Sequence, residues 1–132
     1  MGYLSAAELN AIGFASLGRN VRISDKAAIY DAEQIELGDN CRVDDFSTLS
    51  GRIVMGRNVM ISALCHIGGG TLGVILSDFA TLAYGVKAMS QSDDYSGATM
   101  TGPTVPAAYK RETKAQTRLG RHVIVGTNSV IL

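Results

Sequence analysis

Long apolar runs are missing from this chain. The best stretch, around Leu72–Leu76, is cut by Asp78, so nothing is long enough to span a bilayer. The opening residues also lack the basic, apolar and small-residue succession of a signal peptide. Both absences point to a cytoplasmic protein. No charge of one sign dominates: twelve Lys and Arg face twelve Asp and Glu, which argues against a nucleic-acid or anionic-membrane partner. Proline is scarce, two residues against fifteen glycines. Tight corners therefore fall to glycine, which accepts positive φ without steric cost. What the chain does have is an apolar fraction of 46% in 132 residues, enough for one domain with a core.

A six-residue beat organises that apolar fraction. Units open at Leu17, Ile23 and Ile29, then at Leu37, Val43, Leu49, Met55, Ile61 and Ile67. They resume at Leu76, Leu82 and Ala88, and again at Leu119, Val125 and Ile131. Four places after most openings stands a small or β-branched residue, as at Val21, Cys41, Ser47, Cys65 and Ala80, with Glu33 and Ile53 as departures. Period six fits neither an α-helix nor an alternating strand. It marks a parallel β-helix, each unit forming one side of a triangular coil. The coils must stack because one alone cannot bury its inner face. The fold class is therefore all-β, with the aliphatic residues pointing inward. Ile23, Val43, Ile61 and Leu82 should be buried, and residues 37–72 should contain no helix.

Three sides make a coil of eighteen residues, the distance from Leu37 to Met55. The turn signature Leu17-Gly-Arg-Asn-Val recurs at Leu37, Met55, Leu76 and Leu119, and the spacings of 20, 21 and 43 residues carry extra chain. If each excess follows a third side, all three leave the prism at one vertex, near residues 35–36, 73–75 and 94–118. Asn20, Asn40 and Asn58 should then stack as a ladder of amides, with His122 taking the same position in a structural role. Cys41 and Cys65 fall on inward positions of different coils and read as buried thiols. Ahead of the beat, Ser5-Ala-Ala-Glu8 has the form of a capping box. Leu9 and Ile12 share a helical face, and Gly13 can end the helix. Residues 1–16 thus read as a helical cap on the β-helix of 17–132.

Chemistry concentrates in two stretches. Cys65-His66-Ile67-Gly68-Gly69-Gly70 sets a histidine before three glycines, which leave backbone amides uncovered and room for a ligand. The imidazole reads equally as a structural strand histidine and as a catalytic or ligand-binding group. Ser90-Gln91-Ser92-Asp93-Asp94-Tyr95-Ser96-Gly97 opens the long loop, and long loops in compact domains usually carry function. Its basic second half, with Lys110, Arg111, Lys114 and Arg118 followed by Arg121, suits an anionic ligand such as a phosphate as well as it suits a solvated surface. Asp44-Asp45 reads as a corner pair, since adjacent strand residues point to opposite faces. With only His66 and His122, on separate coils, no metal site is expected.

On these residues the chain resembles the hexapeptide-repeat acyltransferases, whose fold is a left-handed parallel β-helix and whose usual assembly is a homotrimer. The Ser-Asp-Asp-Tyr-Ser-Gly stretch, the Gly-Pro-Thr-Val-Pro segment and the closing Gly-Arg-His-Val-Ile-Val-Gly-Thr-Asn-Ser resemble the bacterial sugar acetyltransferases. These include galactoside-acetyltransferase relatives and enzymes that acylate nucleotide-linked amino sugars for surface polysaccharide such as lipopolysaccharide. The resemblance implies transfer from acetyl-CoA to a hydroxyl or amine of a sugar acceptor, without metal. Where galactoside-type relatives carry a His-Pro at the start of the long loop, this chain has Asp93-Asp94. His66 stands where those relatives contact the acceptor. A site of His66 and Asp93 follows. His66 is the base, imidazole being the side chain that titrates nearest neutrality. Asp93 orients it, the two meeting across a subunit interface. Gly69, Asp94 and Tyr95 are the further acceptor-binding candidates. Arg118 and Arg121, with the Gly126 and Thr127 backbone, are the CoA candidates. The chain stops at Leu132 in mid-coil, where such relatives continue, which implies missing C-terminal coils. A non-catalytic scaffold is the alternative reading.

Overall fold

A computed structural model describes residues 2–132. They wind as a left-handed parallel β-helix of three five-stranded parallel sheets. The first face stacks Ser16–Leu17, Ile35–Leu37, Ile53–Met55, Val74–Leu76 and Thr117–Leu119. The second stacks Arg22–Ile23, Arg42–Val43, Met60–Ile61, Thr81–Leu82 and Ile124–Val125. The third stacks Ala28–Ile29, Thr48–Ser50, His66–Gly68, Lys87–Met89 and Val130–Ile131.

The beat and the register coincide residue for residue. Leu17, Leu37, Met55, Leu76 and Leu119 form one inward column. Ile23, Val43, Ile61, Leu82 and Val125 form the second. Ile29, Leu49, Ile67, Ala88 and Ile131 form the third. Ile23, Val43, Ile61 and Leu82 are wholly buried, and each such side chain contributes roughly 1.5–3 kcal/mol of transfer free energy. Residues 37–72 contain no α- or 3₁₀-helix.

The small-residue position of the beat, two places before each opening, is filled by larger aliphatics on the first face. Ile35, Ile53 and Val74 are also wholly buried, two places before Leu37, Met55 and Leu76 on the same short strands. Ile53, a departure from the beat, is therefore core. The same column corrects the insertion boundaries. Residues 35–36 and 74–75, expected to leave the prism, are strand. The excursions are Tyr30 to Gln34, with a 3₁₀ turn at Ala32–Gln34, and Gly69 to Gly73. Within the span 94–118, Glu112–Lys114 and Thr117–Leu119 are strands as well. All three excursions do leave from one vertex, between the third and first faces.

The long excursion starts and ends as an antiparallel ribbon, Gln91–Asp93 against Glu112–Lys114. Its ribbon sends Ala115 N–H back to the Ser90 carbonyl, so the loop is anchored to the prism at its root. At the other end of the chain, Ala6–Ile12 is helical, with both capping-box hydrogen bonds between Ser5 and Glu8 made and Gly13 left-handed at φ 88°. Leu9 is its buried residue and joins the core of the first coil.

The corners follow the turn signature. Asn20, Asn40 and Asn58 take φ of 57°, 60° and 56°, the left-handed region that asparagine tolerates. Asn20 donates its amide to Asn40 Oδ1 at 3.4 Å. Phe79 and His122 continue the column at φ 63° and 61°, their rings stacked 4.9 Å apart at 5°. His122 is thus a corner residue held by an aromatic neighbour.

Candidate active site

The third face carries an open cleft of about 400 Å³ on its outer side. Inward positions there alternate with outward ones. The outward positions of three neighbouring strands, Ser50, Gly68 and Met89, form its floor, joined by His66. The excursions form its wall: Asp31 and Gln34 from the first, Gly70 and Thr71 from the second, Gln91 from the third. The vertex that releases the extra chain is thereby the vertex that builds the pocket. Asp31 braces it, accepting the Gly51 N–H at 2.9 Å.

His66 opens its strand and is half-buried, its main chain fixed by donation to the Val86 carbonyl at 2.9 Å. Its ring runs along the face above Gly68, where a Cβ would stand 3.4 Å from Nε2. Neither ring nitrogen has a side-chain hydrogen bond to protein among the described residues, so both can serve a ligand. Gly69 turns away from the cleft: it is buried, its N–H donates to the Ser50 carbonyl at 2.8 Å, and its own carbonyl accepts from Ser90 Oγ. The glycines that line the cleft are Gly51, Gly68 and Gly70.

Asp93 lies on the ribbon opposite Glu112 and lines a second cavity of about 320 Å³ with Tyr95, Lys110 and Glu112. The two cavities share Met89 and Gln91. His66 and Asp93 do start from different vertices, but a single chain already sets them along one trough. No hydrogen bond joins them in it. The imidazole–carboxylate pair is expected across a subunit interface, and within one chain it is not made.

The neighbours of Asp93 are spoken for. Glu112 meets Lys110 Nζ at 3.2 Å and accepts from Gln91 Nε2 at 3.2 Å. Asp94 accepts the Ser96 N–H at 2.9 Å and lies by the Thr99 hydroxyl. These bonds to Ser96, with Arg111 and Thr99 nearby, hold its carboxyl below the usual range. Tyr95 projects into solvent, 79% exposed. The CoA candidates are scattered rather than gathered. Arg118 projects from the first face with Nε on Gln116 Oε1 at 2.7 Å. Arg121 sits at the first corner of the last coil, Gly126 and Thr127 at the second. Lys110 is tied to Glu112 and to the Gly102 carbonyl at 2.9 Å; Arg111 and Lys114 remain exposed beside another open hollow.

The lining residues missed in the sequence are Asp31, Gln34, Ser50 and Met89, with Gln91 noted only as part of the stretch that opens the long loop. Their signal was available only as a register, since Ser50, Gly68 and Met89 lie one coil apart at the same outward position.

Asp44 and Asp45 are structural: Asp44 takes two bonds from Arg42, at 2.7 and 3.0 Å, and Asp45 accepts from Ser24 Oγ. Cys41 and Cys65 are free and buried, and burial pushes both thiols up. No group of three potential metal ligands gathers among the described residues, and no helix there is long and apolar enough to cross a membrane.

No family model matches the chain. A dTDP-4-amino-4,6-dideoxy-D-glucose acyltransferase from Escherichia coli is 37% identical over 135 residues, covering 100% of this chain and 70% of the relative. The crystal structure of AntD, an N-acyltransferase from Bacillus cereus, in complex with dTDP and 3-hydroxybutyryl-CoA superposes with a TM-score of 0.96 at 40% identity. It covers 97% of this chain and 68% of that one. A point variant of that enzyme holding dTDP-4-amino-4,6-dideoxyglucose and coenzyme A gives the same score and identity over 98% of this chain and 69% of that one. With the coil register, the excursion vertex and a likeness that runs through this whole chain together, the chain belongs to the left-handed β-helix acyltransferases, in the family of the dTDP-amino-sugar N-acyltransferases.

Proposed function

We propose that the protein transfers an acyl group, acetyl being our expected one, from its CoA thioester to the amine of a dTDP-linked amino sugar. The observation that carries this reading is the cleft itself. A histidine with both ring nitrogens available stands over the bare backbone of Gly68, in a chain similar along its whole length to enzymes of this chemistry. The acceptor amine attacks the thioester carbonyl while His66 takes its proton. The tetrahedral intermediate collapses, and the proton passes to the departing CoA thiolate. The N–H groups of Gly70 and Thr71 donate to no other backbone carbonyl among the described residues and suit the oxyanion. Asp93, with Asp94 and Tyr95, binds the sugar from the ribbon side. Arg118 and Arg121, with the Gly126–Thr127 turn, hold the CoA end. The product keeps its nucleotide leaving group, so the reaction that consumes it is glycosyl transfer, and a surface polysaccharide is the expected destination.

The working unit in this reading is a homotrimer. What supports it is the corner between the second and third faces. Phe46 and Leu64 adopt φ of 59° and 66° there while 62% and 59% exposed, with Tyr84 beside them at 60%. Bulky residues held left-handed and in water cost free energy. A neighbouring copy packed on this stripe would cover them and close the trough next to His66, bringing its own 93–97 segment toward the imidazole.

Release of CoA with acetyl-CoA and dTDP-4-amino-4,6-dideoxyglucose tests the reaction. Turnover is expected with the amine, and much less with the hydroxyl analogue, whose oxygen is the weaker nucleophile and needs fuller proton removal as it attacks. Equal turnover of simple glycosides, or none with any nucleotide sugar, would overturn the reading.

A further inference from the structure

Three glycines line the cleft and Gly69 lies behind it, and three of these four have a backbone reason to be there. Gly51 and Gly70 take φ of 72° and 52°. A Cβ on Gly69 would strike the Arg52 main chain. Gly68 differs. Its φ lies outside the left-handed region, and it is the last residue of a regular strand, hydrogen-bonded between Ser50 and Met89 in register. A Cβ there would meet only side chains: His66 Nε2 at 3.4 Å and Met89 Cγ at 3.7 Å. Glycine weakens a strand interior and often marks the close approach of another group. Neither conformation nor packing requires it at this position.

What the missing side chain provides is space. In the outward column Ser50–Gly68–Met89, Gly68 is a notch one side chain deep, with the imidazole at its edge. We infer that Gly68 is a positioning and specificity residue: the notch seats the pyranose ring of the acceptor so that its amine reaches His66 Nε2. This rests on the reading of the cleft as the acceptor site. It adds that the depth at Gly68, rather than the polar wall, decides which sugars bring their amine within reach. A methyl at this position would stand where the ring or its amine must lie.

Steady-state kinetics of Gly68→Ala and Gly68→Val, with each substrate varied in turn, test the inference. The acceptor kcat/KM should fall about tenfold or more for alanine and further for valine, one methylene in a fitted pocket being worth that much. The KM for acyl-CoA should stay within twofold. Valine suits a strand better than glycine, so the melting temperature should hold or rise, which separates the effect from damage to the fold. Removing the facing side chain, as Gly68→Val with Met89→Ala, should restore part of the lost acceptor kcat/KM. Unchanged acceptor kinetics in folded Gly68→Val, or equal losses for both substrates, would overturn the inference. His66→Asn distinguishes the two levels. If it loses acceptor turnover while the Gly68 variants do not, only the notch fails; if neither loses it, the cleft is not the acceptor site.

Discussion

The two histidines show how one residue type takes two roles from its place on the same scaffold. His122 occupies a corner at φ 61° and stacks on Phe79, whereas His66 opens a strand and lies over bare backbone. The two cysteines invite a prediction at this scale. A thiol must ionise to react, and burial pushes Cys41 and Cys65 up. Both should resist iodoacetamide in the folded protein at neutral pH and react fully in denaturant; fast labelling of the native protein would contradict the burial. A raised folded-state pKa stabilises while the thiol is neutral in both states. The contribution is lost as pH rises, from where the unfolded thiol ionises up through the folded value. Urea midpoints should therefore fall on the alkaline side, and Cys41→Ala with Cys65→Ala should flatten that fall. Core aliphatics are the other residue-scale case. Leu49→Ala, at a wholly buried position, should cost about 2–5 kcal/mol in denaturant titrations.

Among the elements, the N-terminal helix is the most separable. Seven residues are marginal as a free helix, so Ala6–Ile12 depends on its cap and on Leu9. Ser5→Ala should cost on the order of 1 kcal/mol, read as a lower urea midpoint; no shift would mean that the helix contributes nothing to the global transition. Hydrogen bonds from Ser5 hold the Glu8 carboxyl below its ordinary value. The stabilisation is present above the unfolded pKa and fades as pH falls through the folded one. Helix, capping box, corner ladder and each unit of the beat were legible because each is written in neighbouring residues. The ribbon was not. Gln91–Asp93 and Glu112–Lys114 are polar strands about twenty residues apart, with no apolar alternation to reveal them. The inner column Ile35, Ile53 and Val74 was hidden for a different reason. The same position is filled by Val21, Cys41 and Val59 on the second face and by Cys65 and Val86 on the third. Before the first face, however, the excursions stretch the four-place spacing, so that Ile35 and Val74 stand six and seven places after Ile29 and Ile67.

At the scale of the whole molecule, the vertex logic carries the function. Extra chain released at one edge leaves the aliphatic columns continuous and stacks three excursions into a wall beside the third face. That vertex could be inferred by counting. The cleft could not, because its floor is defined by what three successive coils present at one outward position, two of them neutral and one without a side chain. The proposed trimer makes a prediction here. Leu64→Asp, on the exposed corner stripe, should shift the sedimentation profile from trimer toward monomer and lower acyl transfer with it. An intact, fully active trimer would move the interface elsewhere.

Because the chain has two histidines and only one faces the cleft, imidazole NMR tests the central claim with an internal control. On adding a dTDP-linked amino sugar, the His66 ring resonances should move in a saturable way while those of His122 stay in place. A titration in which His66 remains still under saturating acceptor, or in which His122 alone responds, would contradict the assignment of the third-face cleft as the place where the amine is acylated.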